Sequence, residues 1–321
     1  MIYGMTGTED DISDLPQHVI ELCRRHLGMI ETVIPLATAR HTLYRLSGPV
    51  GVGVLKIHAD SPDLWLREHT ANGLFHRHSL LLDAAPGYLL LRFVDAQPLV
   101  RRLTTDISSS PARLFEQAAI RLSQIHEASL EFDPDSIRDF PTDQALIVGL
   151  GSRDFLSSFT AATHLLPARM GQKRARRIYE AIARTIPGLE GIHRSACLIH
   201  GDFQPKNLLF DANESLAAVI DWELARIAPP LCDFATLLRF APDDESESLI
   251  LRASERAGIS IDSRDARCHD LIRVCLGLSK PDLTGDDVPL WQHYVDGCAE
   301  SLLENDPEPA RAGARALLTL P

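Results

Sequence analysis

Apolar residues recur at helical spacing from Leu15 to Leu27 (Val19, Ile20, Cys23, Leu27) and stop at Gly28, which predicts an N-terminal helix. The pattern then changes period. β-Branched and apolar residues dominate Thr32–Ile34 and Thr42–Leu46, Ser47-Gly48-Pro49 reads as a turn, and Val50–Ile57 reads as a further strand, an antiparallel start. Ser61-Pro62-Asp63 has the form of an N-cap followed by proline at the first helical position, opening a helix that runs to about Ser79. Tyr88–Val94 is a buried strand running into Asp95-Ala-Gln-Pro98. Pro111–Ala128 is strongly periodic (Leu114, Ala118, Ile120, Leu122, Ile125), Asp133–Phe159 is mixed and turn-rich, and Arg169–Arg184 is a basic helix whose charges fit a solvated face. Asp262–Leu303 is mostly helical, interrupted at Lys280–Asp287, where three carboxylates cluster in a loop.

The densest chemistry lies in His200-Gly-Asp202-Phe-Gln-Pro-Lys-Asn207, placed between the short apolar runs Cys197–Ile199 and Leu208–Phe210. Asp211-Ala-Asn213-Glu214 supplies turn residues, Leu216–Ile220 is a second apolar run, and Asp221-Trp222-Glu223 follows it. An Asp and an Asn at the two ends of a tight loop, with a further Asp closing the next strand, are the groups phosphoryl transfer needs. One carboxylate orients and deprotonates a hydroxyl, while an amide and a second carboxylate hold Mg²⁺ against the phosphates. Asp202 is therefore the candidate catalytic residue, and Asn207 and Asp221 are the candidate metal ligands. A structural turn with stray carboxylates is the plain alternative, but the joint spacing is hard to reach by chance.

His200, Asp202, Asn207 and Asp221 give the chain a resemblance to the aminoglycoside phosphotransferase and choline kinase group, the small-molecule branch of the protein-kinase-like fold. The resemblance implies an α+β bilobal fold, with a small antiparallel β-sheet N-lobe carrying one key helix and a larger, mainly helical C-lobe. Residues 1–94 would cover the nucleotide, 95–98 would be the hinge, and 99–321 would carry catalysis and the acceptor. Gly201 stands where protein kinases carry Arg, Trp222-Glu223 stands where they carry Phe-Gly, and no Ala-Pro-Glu segment or long activation loop follows Asp221, so a protein substrate is disfavoured.

Other roles follow from the same resemblance. Lys56, one of only four lysines, ends a strand and is expected on the nucleotide phosphates, with Glu68 of the next helix holding it. An edge-strand charge for Lys56 and an exposed helix charge for Glu68 are the plain alternatives. The backbone of Arg92, Phe93 and Val94 would read the base, which leaves ATP and GTP both open. Leu36–His41 lacks the glycines that family members carry at the phosphate-covering turn, so Thr38 and His41 are expected to substitute with side-chain contacts. His200 holds the loop through a backbone contact. Asp233, in a Pro-x-x-x-Asp-x-Ala element, holds the loop's backbone or its histidine, or simply caps a helix. Glu223 lines the acceptor site or adds to the metal shell, Trp222 is a core or pocket-wall residue, and His126 is a packed core histidine.

Composition bounds the rest. A chain of 321 residues, 45% hydrophobic and 24% charged, is ample for two lobes. No apolar run approaches the ~18 residues that span a bilayer, and the acidic start lacks a signal-peptide pattern, so neither membrane nor export is expected and the cytoplasm is the default. Six cysteines without paired spacing read as buried reduced thiols. The net charge of −12 and the absence of a nucleic-acid-binding module disfavour nucleic acid as partner. From Ala241 to Pro321 there are 16 Asp and Glu against 8 Lys and Arg, a field that favours a cationic acceptor if this segment lines the pocket. The acceptor class stays open between an antibiotic or other natural product and choline, homoserine or a sugar. A kinase-like binding protein without catalysis is a further alternative, and so are monomer and homodimer.

Overall fold

The computed structural model describes residues 12–36, 41–58, 61–75, 79–104, 110–143, 155–186, 196–256, 258–280 and 288–318. These group into two compact units, Met1–Ala96 with Ala217–Ala225, and Gln97–Leu216 with Arg226–Pro321. Division along the chain alone does not anticipate that Ala217–Ala225 joins the first unit.

In the smaller unit β1 (Thr32–Leu36), β2 (Thr42–Gly48), β3 (Gly51–Ile57), β4 (Leu81–Ala85) and β5 (Tyr88–Arg92) form one antiparallel sheet in the order β1-β2-β3-β5-β4. Helix α1 (Gln17–Leu27) packs Val19, Leu22, Cys23 and Leu27 onto Val33, Leu46, Leu55 and Leu90. Gly48 is required where this helix ends, because a Cβ there would sit 2.3 Å from the Leu27 carbonyl oxygen. The second helix, α2, spans Pro62–Leu74, shorter than the expected run to Ser79. Ser61 occupies its N-cap, yet its side chain makes no capping hydrogen bond. The strand β4 was not anticipated. Its signal is the apolar Leu80–Leu82 run ahead of Pro86-Gly87, a hairpin pattern just beyond the expected helix end at Ser79.

The larger unit is mainly helical. Pro111–Leu130 buries Leu114, Phe115, Ala118, Leu122 and Ile125. Helices Leu231–Arg239, Asp244–Arg256, Ser263–Leu278, Val288–Glu304 and Glu308–Leu318 complete its core. The basic helix divides at Gly171 (φ 89°) into Leu166–Met170 and Gln172–Thr185. Its basic face is exposed, as expected of a solvated face, and two of its charges form surface pairs, Arg174 with Asp296 at 2.8 Å and Arg177 with Glu304 at 3.5 Å. β6 (Gln97–Pro98) pairs with β8 (Leu208–Phe210), and β7 (Cys197–Ile199) pairs with β10 (Arg226–Ala228), both antiparallel. The strand β9 (Leu216–Val219) follows the Asp211–Ser215 turn, in which the Asp211 carboxylate accepts from the amides of Asn213 and Ser215. These two units match the α+β bilobal expectation. Among the described residues no helix is long and apolar enough to cross a membrane, and all six cysteines are free and buried.

Candidate active site

Lys56 lies on β3, opposite Leu43 of β2 and Leu89 of β5, so it sits on an interior strand and the edge-charge alternative fails. Strand alternation turns it away from Leu55 and Ile57, which face α1. It is 5% exposed, and its ammonium lies 2.7 Å from Glu68 Oε2, 2.5 Å from Asp221 Oδ1 and 3.7 Å from Glu223 Oε2. Burial alone would discharge the amine. The charges of Glu68 and Asp221 overcome it and raise the Lys56 pKa, so the ammonium stays protonated. Burial likewise opposes ionisation of Glu68, and Lys56 together with the His58 hydrogen bond lowers its pKa on balance. Glu68 is 1% exposed on α2, which removes the exposed-charge alternative.

Asp221 adopts a left-handed backbone (φ 70°) at the head of the 3-10 turn Trp222–Leu224, a conformation Asp tolerates better than most residues. The turn is held by Trp222, 1% exposed, whose indole stacks on Phe75 with ring centres 4.7 Å apart and donates to the Val219 carbonyl. That contact explains why Ala217–Ala225 belongs with this unit. His41 Nε2 meets Glu223 Oε2 at 2.5 Å. Thr38 lies outside the described residues, as does the carboxylate cluster at 281–287. The amides of Arg92 and Phe93 donate to the carbonyls of Leu80 (2.7 Å) and Val52 (3.2 Å). The Val94 carbonyl accepts the Ala96 amide at 2.9 Å. His58 was missed by the sequence reading: its ring is buried against Glu68, 2.9 Å away. Its position two residues after Lys56, hence on the same strand face, was the available signal.

The larger unit holds the loop that bears Asp202. Asp233, fully buried, accepts hydrogen bonds from the amides of His200 (2.8 Å) and Gly201 (2.9 Å) and lies 3.2 Å from His126 Nε2. The helix cap is Pro230, so Asp233 serves the loop and not a helix end. Burial raises the Asp233 carboxyl's pKa, but the His126 hydrogen bond, the charges of His126 and His200 and the Gly201 amide outweigh it and hold it below the ordinary carboxylate range. Gly201 is left-handed (φ 83°), which accounts for glycine where a side chain would be strained. Its carbonyl accepts from both Arg226 (3.3 Å) and Arg273 (3.2 Å). His200 accepts the Asp202 amide on Nδ1 at 3.2 Å, the expected backbone contact. The Asp202 carboxylate accepts from Gln204 (2.6 Å) on one oxygen and from Asn207 Nδ2 (3.1 Å) on the other, with Lys206 at 3.5 Å. Asn207 Nδ2 also bonds the Asp202 carbonyl at 2.9 Å. With its NH₂ directed at Asp202, the Asn207 side chain presents its amide oxygen as the remaining donor, and an amide oxygen with a carboxylate is a hard oxygen set of the kind Mg²⁺ takes. Gln204, Arg226 and Arg273 were not singled out in the sequence.

Asp202, Asn207, His200 and Asp233 thus belong to the larger unit. Lys56, Glu68, His41, Arg92, Phe93, Val94, Asp221 and Glu223 belong to the smaller.

The family model of the phosphotransferase enzyme family (APH) matches residues 42–269. No curated protein sequence matches the chain. Among solved structures, it is similar to a macrolide 2′-phosphotransferase from Brachybacterium faecium (TM-score 0.61, 15% identity, 95% of this chain and 99% of that one). It is also similar to a spectinomycin phosphotransferase in complex with ADP and spectinomycin (TM-score 0.53, 16% identity, 95% and 98%). A third similar structure is a choline kinase from Streptococcus pneumoniae (TM-score 0.54, 14% identity, 93% and 99%).

Proposed function

The chain belongs to the phosphotransferase enzyme family, and from that premise we propose that it transfers the γ-phosphoryl group of ATP or GTP to a hydroxyl of an antibiotic or similar natural product. The observation that carries this reading is the Asp202 loop: a carboxylate oriented by Gln204 and Asn207 on a backbone locked by the buried Asp233. Asp202 would accept the acceptor hydroxyl's proton as the new bond to phosphorus forms, and the loose transition state rewards positioning more than basicity. Lys56, kept charged by Glu68, would clamp the α- and β-phosphates, exchanging its present bond to Asp221 for phosphate oxygens. Asn207 and Asp221 would hold Mg²⁺, which supplies neutralisation of phosphate charge.

The choline kinase similarity supports a second reading, a metabolic kinase acting on choline, homoserine or a sugar. The acidic C-terminal segment argues less for a cationic acceptor than its composition suggests, because Asp270, Glu247 and Asp296 are committed to Arg239, Arg267 and Arg174. An inactive binding protein is disfavoured by the intact Asp202, Asn207 and Asp221. A coupled ADP- or GDP-release assay against macrolides, aminoglycosides, choline and small alcohols identifies the acceptor. With that acceptor, Asp202→Asn should abolish turnover while the nucleotide still raises the melting temperature; near-normal turnover removes Asp202 from the mechanism.

A further inference from the structure

The smaller unit contains a group of donors that the phosphoryl-transfer roles leave largely unused. One side-chain donor each from His41, His58 and Glu223 lie within 4.8 Å of one another. His41 Nε2 is 2.5 Å from Glu223 Oε2, and the two imidazole rings stand 4.6 Å apart, tilted by 52°. His58 is 2% exposed, and its Nδ1 is buried with no hydrogen-bond partner among the described residues. An orphaned ring nitrogen in a core is costly and calls for an explanation. The other nitrogen, Nε2, lies 2.9 Å from Glu68 Oε2. A carboxylate there favours the tautomer protonated on Nε2, which leaves the Nδ1 lone pair available, the arrangement that supports a metal-ligating histidine. The adjacent group of Glu68, Asp221 and Glu223 is equally tight, but the Lys56 ammonium already neutralises it at 2.7, 2.5 and 3.7 Å. On the histidine-bearing side the Lys56 ammonium reaches Glu223 alone, and at the longest of these distances, 3.7 Å.

We propose that His41, His58 and Glu223 form a binding site for a borderline divalent cation of the zinc class, with a ligand set separate from that of Mg²⁺. Two imidazoles and one carboxylate suit Zn²⁺, whereas Mg²⁺ takes oxygen donors and keeps its waters. Ligands of a tetrahedral zinc lie about 2.0–2.1 Å from the metal and hence ~3.3 Å from each other. The His41–Glu223 contact, now 2.5 Å, has to open by roughly 0.8 Å, within the reach of side-chain rotation. Bound metal would also tie the end of the glycine-free turn to the strand that carries Lys56. Coordination by these three residues is independent of the acceptor and of turnover.

The test is a titration of chelator-stripped full-length protein with Co²⁺, a zinc surrogate with visible absorption, in excess Mg²⁺. A saturable visible band that Zn²⁺ abolishes is expected. His41→Ala and Glu223→Gln should each weaken Co²⁺ binding tenfold or more, and Glu68→Gln, which removes the orienting carboxylate, by about 10–100-fold. Circular dichroism of each variant confirms its fold. Absence of the band, or affinity unchanged in His41→Ala or in Glu223→Gln as for scattered surface histidines, overturns the site. Loss of kinase activity is not read in this experiment, so failure of the metal proposal and failure of the phosphotransferase reading are told apart.

Discussion

Replacing Asp233 by Ala removes one carboxylate that serves three donors at once. The amides of His200 and Gly201, 2.8 and 2.9 Å from it, are left without their partner in a fully buried setting, and His126 loses its contact at 3.2 Å. Each of the three orphaned donors costs about 1–3 kcal/mol. These overlap, so the expected loss is about 3–5 kcal/mol, a fall in Tm of roughly 6–10 °C at about 2 °C per kcal/mol for a chain of this size. Because the loop bearing Asp202 is what relaxes, turnover should fall further than nucleotide affinity. Acid unfolding supplies an independent check. The folded-state pKa of Asp233 is depressed, so its contribution is present above the unfolded value of about 3.9 and disappears as the pH falls through the lower folded value. The gap in stability between wild type and Asp233→Ala should therefore be flat above about pH 5 and narrow below ~3.9. Thermal unfolding followed by circular dichroism from pH 3 to pH 7 measures both. A Tm within about 2 °C of wild type at pH 7 would refute the anchoring argument.

Two further perturbations test other parts of the molecule. Lys56→Ala leaves Glu68 buried without its cation, so a loss of about 3–5 kcal/mol is expected together with disappearance of the thermal shift produced by ATP and Mg²⁺; an ATP shift equal to wild type would separate Lys56 from the phosphates. Burial pushes the Cys23, Cys197, Cys232 and Cys298 thiols up to about 12, so at pH 8 a thiol reagent should leave the native protein unlabelled over the time in which the unfolded chain yields six modified cysteines. Rapid labelling of the native state would show that one of these thiols is accessible.

Much of the site could be read from local signals. The His200–Asn207 loop between two apolar runs, and Asp221 at the end of the next, are sequence-local, because a tight loop must place its first and last polar side chains near one another. Lys56 was marked by its rarity on an apolar strand, and Glu68 by its place on the following helix. What local pattern missed was decided by partners far along the chain. Strand β4 depends on pairing with β5, and its short apolar run is ambiguous without that partner. Gln204, Arg226 and Arg273 gain their roles only because the Gly201 and Asp202 backbone lies within reach.

The sequence by itself determined the chemistry of the family: which carboxylates and amides are available, in which order, and on which kind of element. It did so because period, turn residues and spacing act over a few neighbouring positions. Only the tertiary structure decided that Lys56 lies on an interior strand, that Asp233 locks a loop instead of capping a helix, and that His58 stands beside His41 and Glu223. Those outcomes depend on strand order and on burial, which set which distant side chains share a low-dielectric volume and must therefore satisfy one another.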